Sequence, residues 1–305
     1  MKKTIILFAA MAMIFAMSCS KNEGVEMPQP ETPDNPVQIP INVGMDLWTR
    51  VTDSSFEQND KVGIYVVNYS GAKVGALTNS GNYVDNMRFT YSTAARWTPD
   101  SEIYWKDDTT KADFYCYYPY GSPANVSAYA VSTNPDQSTD DGYKGSEFLW
   151  GKREGVLPSP ETVNVTVNHV MSNVFVYIKP GKGFTDEMLT AAAVNVKIVN
   201  VKTDATVNLA TGVVTAAGAA KTVTPHDETG YYRALIVPQT VAANTALIIV
   251  TVNDVQYTYT PTENVELKSN TQHKFTVTVN NVGNGVDIGV GNWTTDETDY
   301  GGSAE

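Results

Sequence analysis

Residues 163–170 read VNVTVNHV. Val163, Val165 and Val167 fall on one face of an extended chain, and Asn164, Thr166 and Asn168 fall on the other. A repeat of two with one apolar face predicts a half-buried strand. HKFTVTVN (273–280) repeats the pattern, with Phe275, Val277 and Val279 inward. Between these two lie NVFVYIKP (173–180), VNVKIVNV (194–201), TVNLATGVVT (206–215), YYRALIVP (231–238), ALIIVTVN (246–253) and VQYTYTP (255–261). Only FTDEMLTAAA (184–193) reads as a helix, and a short one.

Upstream the strands are less regular but still present. Val62 to Val67 is a compact apolar run. Asn82–Val84, Met87–Tyr91 and Ala112–Tyr118 follow, the last stopping at Pro119. Clusters of Gly, Asn, Ser and Pro separate the segments. GSPANVSAYAVSTNPDQSTDDGYKGS (121–146) is long and polar, and reads as a surface excursion. Many short strands with regular turn signals predict an all-β chain of sandwiches or barrels. The expected organisation is two β-sandwich domains in tandem, 39–160 and 161–293, meeting near GVLPSPET, with a tail at 294–305.

The totals agree with that class. The chain has 305 residues, 42% of them hydrophobic and 18% charged, enough to bury a core in one large or two ordinary domains. Val, Thr, Asn, Tyr and Gly are frequent while Leu and Glu are scarce, which favours strands. The net charge of −12 repels phosphate backbones and argues against nucleic-acid binding.

The first eighteen residues, MKKTIILFAAMAMIFAMS, have two lysines before an apolar run from Ile5 to Met17. They read as a secretory signal, too short for a stable span. Cys19 follows directly, as in a lipobox, where the thiol takes lipid and becomes the mature N-terminus. The alternative is ordinary cleavage near Ser18. SKNEGVEMPQPETPDNPVQ (20–38), with four prolines and several acids, makes 19–38 a solvated tether to the outer membrane. If Cys19 is acylated, Cys116 has no partner for an intrachain disulfide, and it reads as a small apolar core residue in DFYCYYPY.

No constellation for catalysis stands out. His169, His226 and His273 are far apart, and HExxH, C-x-x-C, GxSxG and a phosphate-cradling loop are all lacking. Asp107-Asp108 and Asp140-Asp141 are adjacent pairs in polar stretches, not carboxylates facing each other across a cleft. Asp136, Asp140 and Asp141 lack the pattern of a calcium loop. No enzyme activity, cofactor or metal is expected. The aromatics from Trp97 to Tyr118 read mainly as core, with Trp97 and Trp105 as candidate glycan-stacking rings for an alternative function, a monomeric surface glycan-binding lipoprotein.

Several segments in order carry a family resemblance. After the Cys19 leader come TRVTDSSFEQNDKVGIYVV (49–67), WTPDSEIYW (97–105), DFYCYYPYGSP, DQS…YKGSEFLWG (136–151), VNVTVNHVMSNVFVYIKPG (163–181) and LKSNTQHKFTVTV…VDIGVGNW (267–293). This resembles the fimbrillin family of Bacteroidota surface lipoproteins, in its Mfa-like branch. The resemblance implies two transthyretin-like β-sandwiches and a place in surface fimbriae, the type V pili, at the outer membrane. It also implies partners, namely other fimbrial subunits and a host or bacterial surface ligand. In stalk subunits of the family a protease cuts after an N-terminal arginine, the first strand leaves, and a neighbour's strand fills the groove.

Carried onto this chain, the scissile bond is Arg50–Val51, with Lys61 a nearby competitor. The displaced strand is Ile39, Ile41, Val43, Met45 and Leu47, alternating with Pro40, Asn42, Gly44 and Asp46. The candidate donor is Val286, Ile288 and Val290, alternating with Asp287, Gly289 and Gly291. The competing readings are a permanent first strand and an ordinary last strand of the C-terminal domain.

Overall fold

A computed structural model describes residues 38–47, 55–94 and 96–280. The described residues form an all-β chain with two short helices. The N-terminal half contributes β1 (Val43–Leu47), β2 (Lys61–Ser70), β3 (Lys73–Val74), β4 (Val84–Ser92), β5 (Arg96–Pro99), β6 (Ala112–Tyr118), β7 (Tyr129–Ser132), α1 (Asp140–Lys144), β8 (Leu149–Val156) and β9 (Val163–His169). All but β7 and α1 form one sheet in the order β1-β9-β8-β6-β2-β4-β5, with β3 paired to β2. Every pairing along that order is antiparallel except β1 on β9, which is parallel.

The apolar run Val62–Val67 is continuous because both faces of β2 are covered. Val62, Ile64 and Val66 join Phe89, Phe114, Cys116 and Trp105 in one core cluster. Tyr65 and Val67 point the other way and join Tyr115 and Tyr117 in another. A strand buried on both faces loses the polar alternation that marks a half-buried one.

The C-terminal half contributes β10 (Ser172–Pro180), α2 (Asp186–Ala191), β11 (Val194–Val207), β12 (Val214–Val223), β13 (His226–Glu228), β14 (Tyr231–Ile236), β15 (Gln239–Val241), β16 (Ile248–Val252), β17 (Val255–Tyr259), β18 (Val265–Leu267) and β19 (Thr271–Val279). One sheet runs β13-β14-β10-β19 and another β12-β11-β16-β17, and β15 pairs with β18. Val174, Val176, Phe275 and Val277 of the first share a core with Val196, Ile198, Ile248 and Val250 of the second. The expected helix at 184–193 is α2, capped by the Thr185 side chain on the Met188 N–H.

Two readings of the sequence change. VNVTVNHV is a half-buried strand with the expected faces, but its partners are β8 and β1, so it completes the N-terminal sheet. The chain enters the second set of sheets only at Val170-Met171, not at residue 161. Period alone fixes which side chains point inward, not which sheet receives them.

The second change concerns 121–146, which lies mostly exposed at the surface but is also a strap tied to the C-terminal half. Its strand β7 pairs with β11. The Gln137 amide is fully buried, accepting from the Leu235 N–H and donating to the Leu235 carbonyl, both at 2.8 Å. Tyr143 of α1 accepts a hydrogen bond from Asn173 at 2.9 Å. Most polar side chains of the stretch stay exposed, but that of Gln137 is spent inside the molecule, pairing backbone that would otherwise lie buried and unpaired. Beneath it Tyr65, Tyr117, Tyr143, Val170, Met171, Val207 and Leu235 form the core cluster common to both halves.

His273, on the edge strand β19, accepts a hydrogen bond from the Lys268 N–H at 2.9 Å through Nε2. Burial pushes its pKa below the ordinary histidine value. The unfolded chain then binds more protons than the folded one as pH falls through about 6.5, so stability falls with it. We expect urea midpoints to drop between pH 7.5 and 5.5. The drop should be smaller in His273→Gln, and an equal drop in both proteins would assign the acid sensitivity elsewhere.

Candidate functional site

The N-terminal segment closes the first sheet. Sheet edges β1 and β5 approach each other, and residues 39–47 bridge the gap in two steps. First, Ile41 N–H donates to the Ile103 carbonyl at 2.8 Å and Trp105 N–H donates to the Ile39 carbonyl at 2.9 Å, around a Pro40–Tyr104 bridge. Then β1 turns to pair in parallel with β9, Val43 opposite Val163 through Leu47 opposite Val167. An open groove of about 1050 Å³ runs beside the segment. Its lining includes Tyr91, Trp97, Tyr104, Asn42, Thr162 and Asn164.

Burial alternates from Ile41 to Met45, as in both a displaceable and a permanent first strand, and the side chains of Asp46 and Leu47 lie outside the described residues. Ile41, Val43 and Met45 are 4%, 5% and 7% exposed and pack on Val62, Phe89, Phe114 and Val165. Ile39 is partly buried against the same cluster. Asn42 points out to solvent. Under Met45 lies Cys116, Sγ to Sδ 3.1 Å, fully buried on the central strand β6. Burial pushes the Cys116 thiol pKa far above the ordinary cysteine range, so it is an inert thiol while covered.

The other candidate residues divide cleanly. Trp105 is a core ring, 4% exposed, edge-on to Phe114 and donating Nε1–H to the Ser159 carbonyl at 3.1 Å. It has no free face for a sugar, which corrects its candidacy as a stacking residue. Trp97 is half-buried, its ring 4.7 Å edge-to-face from Phe56 and 5.2 Å from Tyr91. Cys19, Arg50, Val51, Val286, Ile288 and Val290 lie outside the described residues, as do Gly289 and Gly291. Lys61 lies within the β2 ladder, opposite Thr90, where a protease would have to break the sheet to reach it.

The histidines have separate partners. His169 Nδ1 is 2.7 Å from Glu147, and His226 Nε2 is 3.3 Å from Asp140 and 3.7 Å from Glu228. Among the described residues no three His, Cys, Asp or Glu side chains gather as a metal site. Sequence reasoning did not identify Asn164 and Thr162 as parts of the groove, nor Cys116 as lying under Met45. Gly44 was the available signal, since a glycine inside a strand often marks close approach by a neighbour.

The described residues thus form an all-β chain whose N-terminal segment completes its own first sheet as an edge strand. Residues 49–293 match the fimbrillin-like family, and the chain belongs to that family. A candidate fimbrium subunit of Bacteroides uniformis, Fim1C, is 28% identical over 253 residues, which span 81% of this chain and 79% of that protein. The fold is shared with crystal structures of two candidate cell adhesion proteins. One, from Bacteroides uniformis, has a TM-score of 0.61 at 22% identity, covering 84% of this chain and 98% of that one. The other, from Bacteroides ovatus, has a TM-score of 0.64 at 18% identity, covering 85% and 99%. The family model describes fimbrillin-like proteins and the matched relative is a candidate fimbrium subunit, so the family is one of fimbrial proteins, not of enzymes.

Proposed function

We propose that this chain is a fimbrial subunit or accessory adhesin, tethered to the outer membrane through a lipid on Cys19 and joined to other fimbrial subunits at the cell surface by strand exchange. In this reading the N-terminal sheet through β9 and the sheets that follow Val170 belong to two transthyretin-like sandwiches in tandem. A protease cuts Arg50–Val51, the strand carrying Ile39 to Leu47 leaves, and the strand carrying Val286, Ile288 and Val290 of a neighbour enters. The observation that carries the reading is the apolar underside of an edge segment held by one short parallel ladder and the 39–41 bridge.

Such a segment can be replaced without reordering the sheet behind it. Loss of the segment uncovers β9 backbone groups and the sites of Ile41, Val43 and Met45 together. A partner strand restores both, which is β-augmentation. A contact of this kind runs head to tail and does not close on itself, so its product is a fibre. The test is to treat the purified mature protein with a trypsin-like protease. Trimming to a new N-terminus at Val51 should be followed by SDS-resistant ladders. Clean trimming at Val51 with no ladder under any condition counts against the stalk-subunit reading.

A further inference from the structure

The groove beside the first segment mixes rings with amides. Tyr91, Trp97 and Tyr104 line it as partly exposed rings, and Asn42 and Asn164 line it as exposed amides. Two of the rings are held in place. Trp97 is braced by Phe56 and Tyr91. The Tyr104 hydroxyl donates to Glu102, and the Tyr104 carbonyl accepts from the Tyr83 hydroxyl at 2.7 Å. A fixed ring offers an apolar face at little cost in lost motion, which suits the C–H face of a sugar. An amide both donates and accepts, as a hydroxyl does, so it can answer a sugar hydroxyl in either role. Among the described residues Arg96 and Glu102 are the charged members of the lining, one of each sign. The groove therefore has no excess charge with which to draw an anion or a cation.

Arg96 carries a second mark. It ends the turn between β4 and β5, opposite Ser92, with a φ of 60°. The other non-glycine residues with positive φ among the described ones are all Asn or Asp, which reach that region at least cost. An arginine held there against its backbone preference, with its side chain on the groove, points to a use for that side chain. A peptide strand is the rival occupant. On this side it meets β5, an edge strand of four residues in which Pro99 has no N–H to give, so the template for an added strand is poor. The volume of about 1050 Å³ lies at the upper end for small-ligand sites and suits a short chain of sugars better than one ring.

We propose that this groove binds a neutral oligosaccharide, with Tyr91, Trp97 and Tyr104 against its ring faces and Arg96, Asn42 and Asn164 on its hydroxyls. The ligand touches both the first segment and β5, so it binds the chain with that segment in place. The experiment uses the intact chain, untrimmed at Arg50, which keeps it separate from strand exchange. Linear neutral oligosaccharides of one to six sugars, in gluco, manno, galacto and xylo series, are titrated by calorimetry. Sialylated and sulfated glycans and an unstructured peptide are titrated beside them. At least one neutral series should bind, about tenfold or more tighter at three sugars than at one. Trp97→Ala should weaken that binding about tenfold or more. Arg96→Asn should weaken it about fivefold while the thermal midpoint holds or rises, because asparagine suits the turn. A purely structural Arg96 would instead lower stability and binding together, and that result overturns its role. If Trp97→Ala does not fold, the exposed Asn164→Ala carries the same test and should weaken binding about threefold or more. The site is overturned if no neutral series binds, if only charged glycans or the peptide bind, if one sugar binds as well as three, or if the variants bind like the parent.

Discussion

Removing residues 39–50 from the folded chain is expected to turn Cys116 from an inert thiol into a reactive one, raising its alkylation rate by about a hundredfold or more as burial by the first strand is lost. Cys116 sits on the central strand β6, and its sulfur is covered by Met45. The same loss uncovers the sites of Ile41, Val43 and Met45, each worth about 1.5–3 kcal/mol as a buried side chain. A typical fold has only about 5–15 kcal/mol in total, so the trimmed chain should be close to its limit unless a strand replaces the lost one. Mass spectrometry of maleimide-treated protein reads the first effect, before trimming and after the released peptide is separated. Thermal unfolding of the same two samples reads the second. A thiol that stays as slow in the trimmed chain as in the intact one would show that other elements cover it, and would remove the segment's role as a lid.

The second large effect is expected at Asp113, remote from the groove. Asp113 sits at a bulge where β6 pairs with β8, and it is fully buried. Its Oδ1 accepts from the Tyr69 hydroxyl at 2.9 Å and from the Gly155 N–H at 2.8 Å, while Oδ2 is 3.2 Å from Lys152 Nζ. Burial works against the Lys152 charge, but Glu154 and Asp113 outweigh it and hold the Lys152 pKa above the ordinary lysine range. Asp113→Ala leaves a lysine, a phenol and a backbone N–H without their shared acceptor. Breaking a buried pair from one side costs about 3–5 kcal/mol. Asp113→Asn keeps an acceptor for Tyr69 and Gly155 and should cost clearly less. Urea unfolding of the two variants checks this, and equal midpoints for parent and Asp113→Ala would mean that the pair contributes nothing net.

The class of the fold was legible because its signal is local. Val163, Val165 and Val167 alternate whatever they pair with, and the same holds for Phe275, Val277 and Val279. What joins to what was not legible, because partners are chosen by contacts distant in sequence. β9 reads like the opening of a second domain and closes the first sheet. Gln137 reads like loop and is a fully buried pair of hydrogen bonds to β14. Of the site, the alternation of Ile41, Val43 and Met45 was visible, and so was the apolar character of Cys116. That Met45 lies on Cys116, and that Gly44 faces Asn164, depends on register between strands more than a hundred residues apart in the case of β1 and β9. Trp105 shows the converse limit, since composition marks an aromatic but not whether its ring faces water.

The core common to the two halves limits how this chain can change over generations. Tyr65, Tyr117 and Phe148 meet Val207, Leu209 and Leu235 across it, and the strap ties its own strand and a buried amide into the far side. Neither half therefore owns a finished surface. A recombination event that imported a new C-terminal half from a distant relative would leave the old N-terminal half with a mismatched patch of rings and valines. The unit of inheritance is both halves together, and variation has room mainly in the rims and turns that the shared core does not touch.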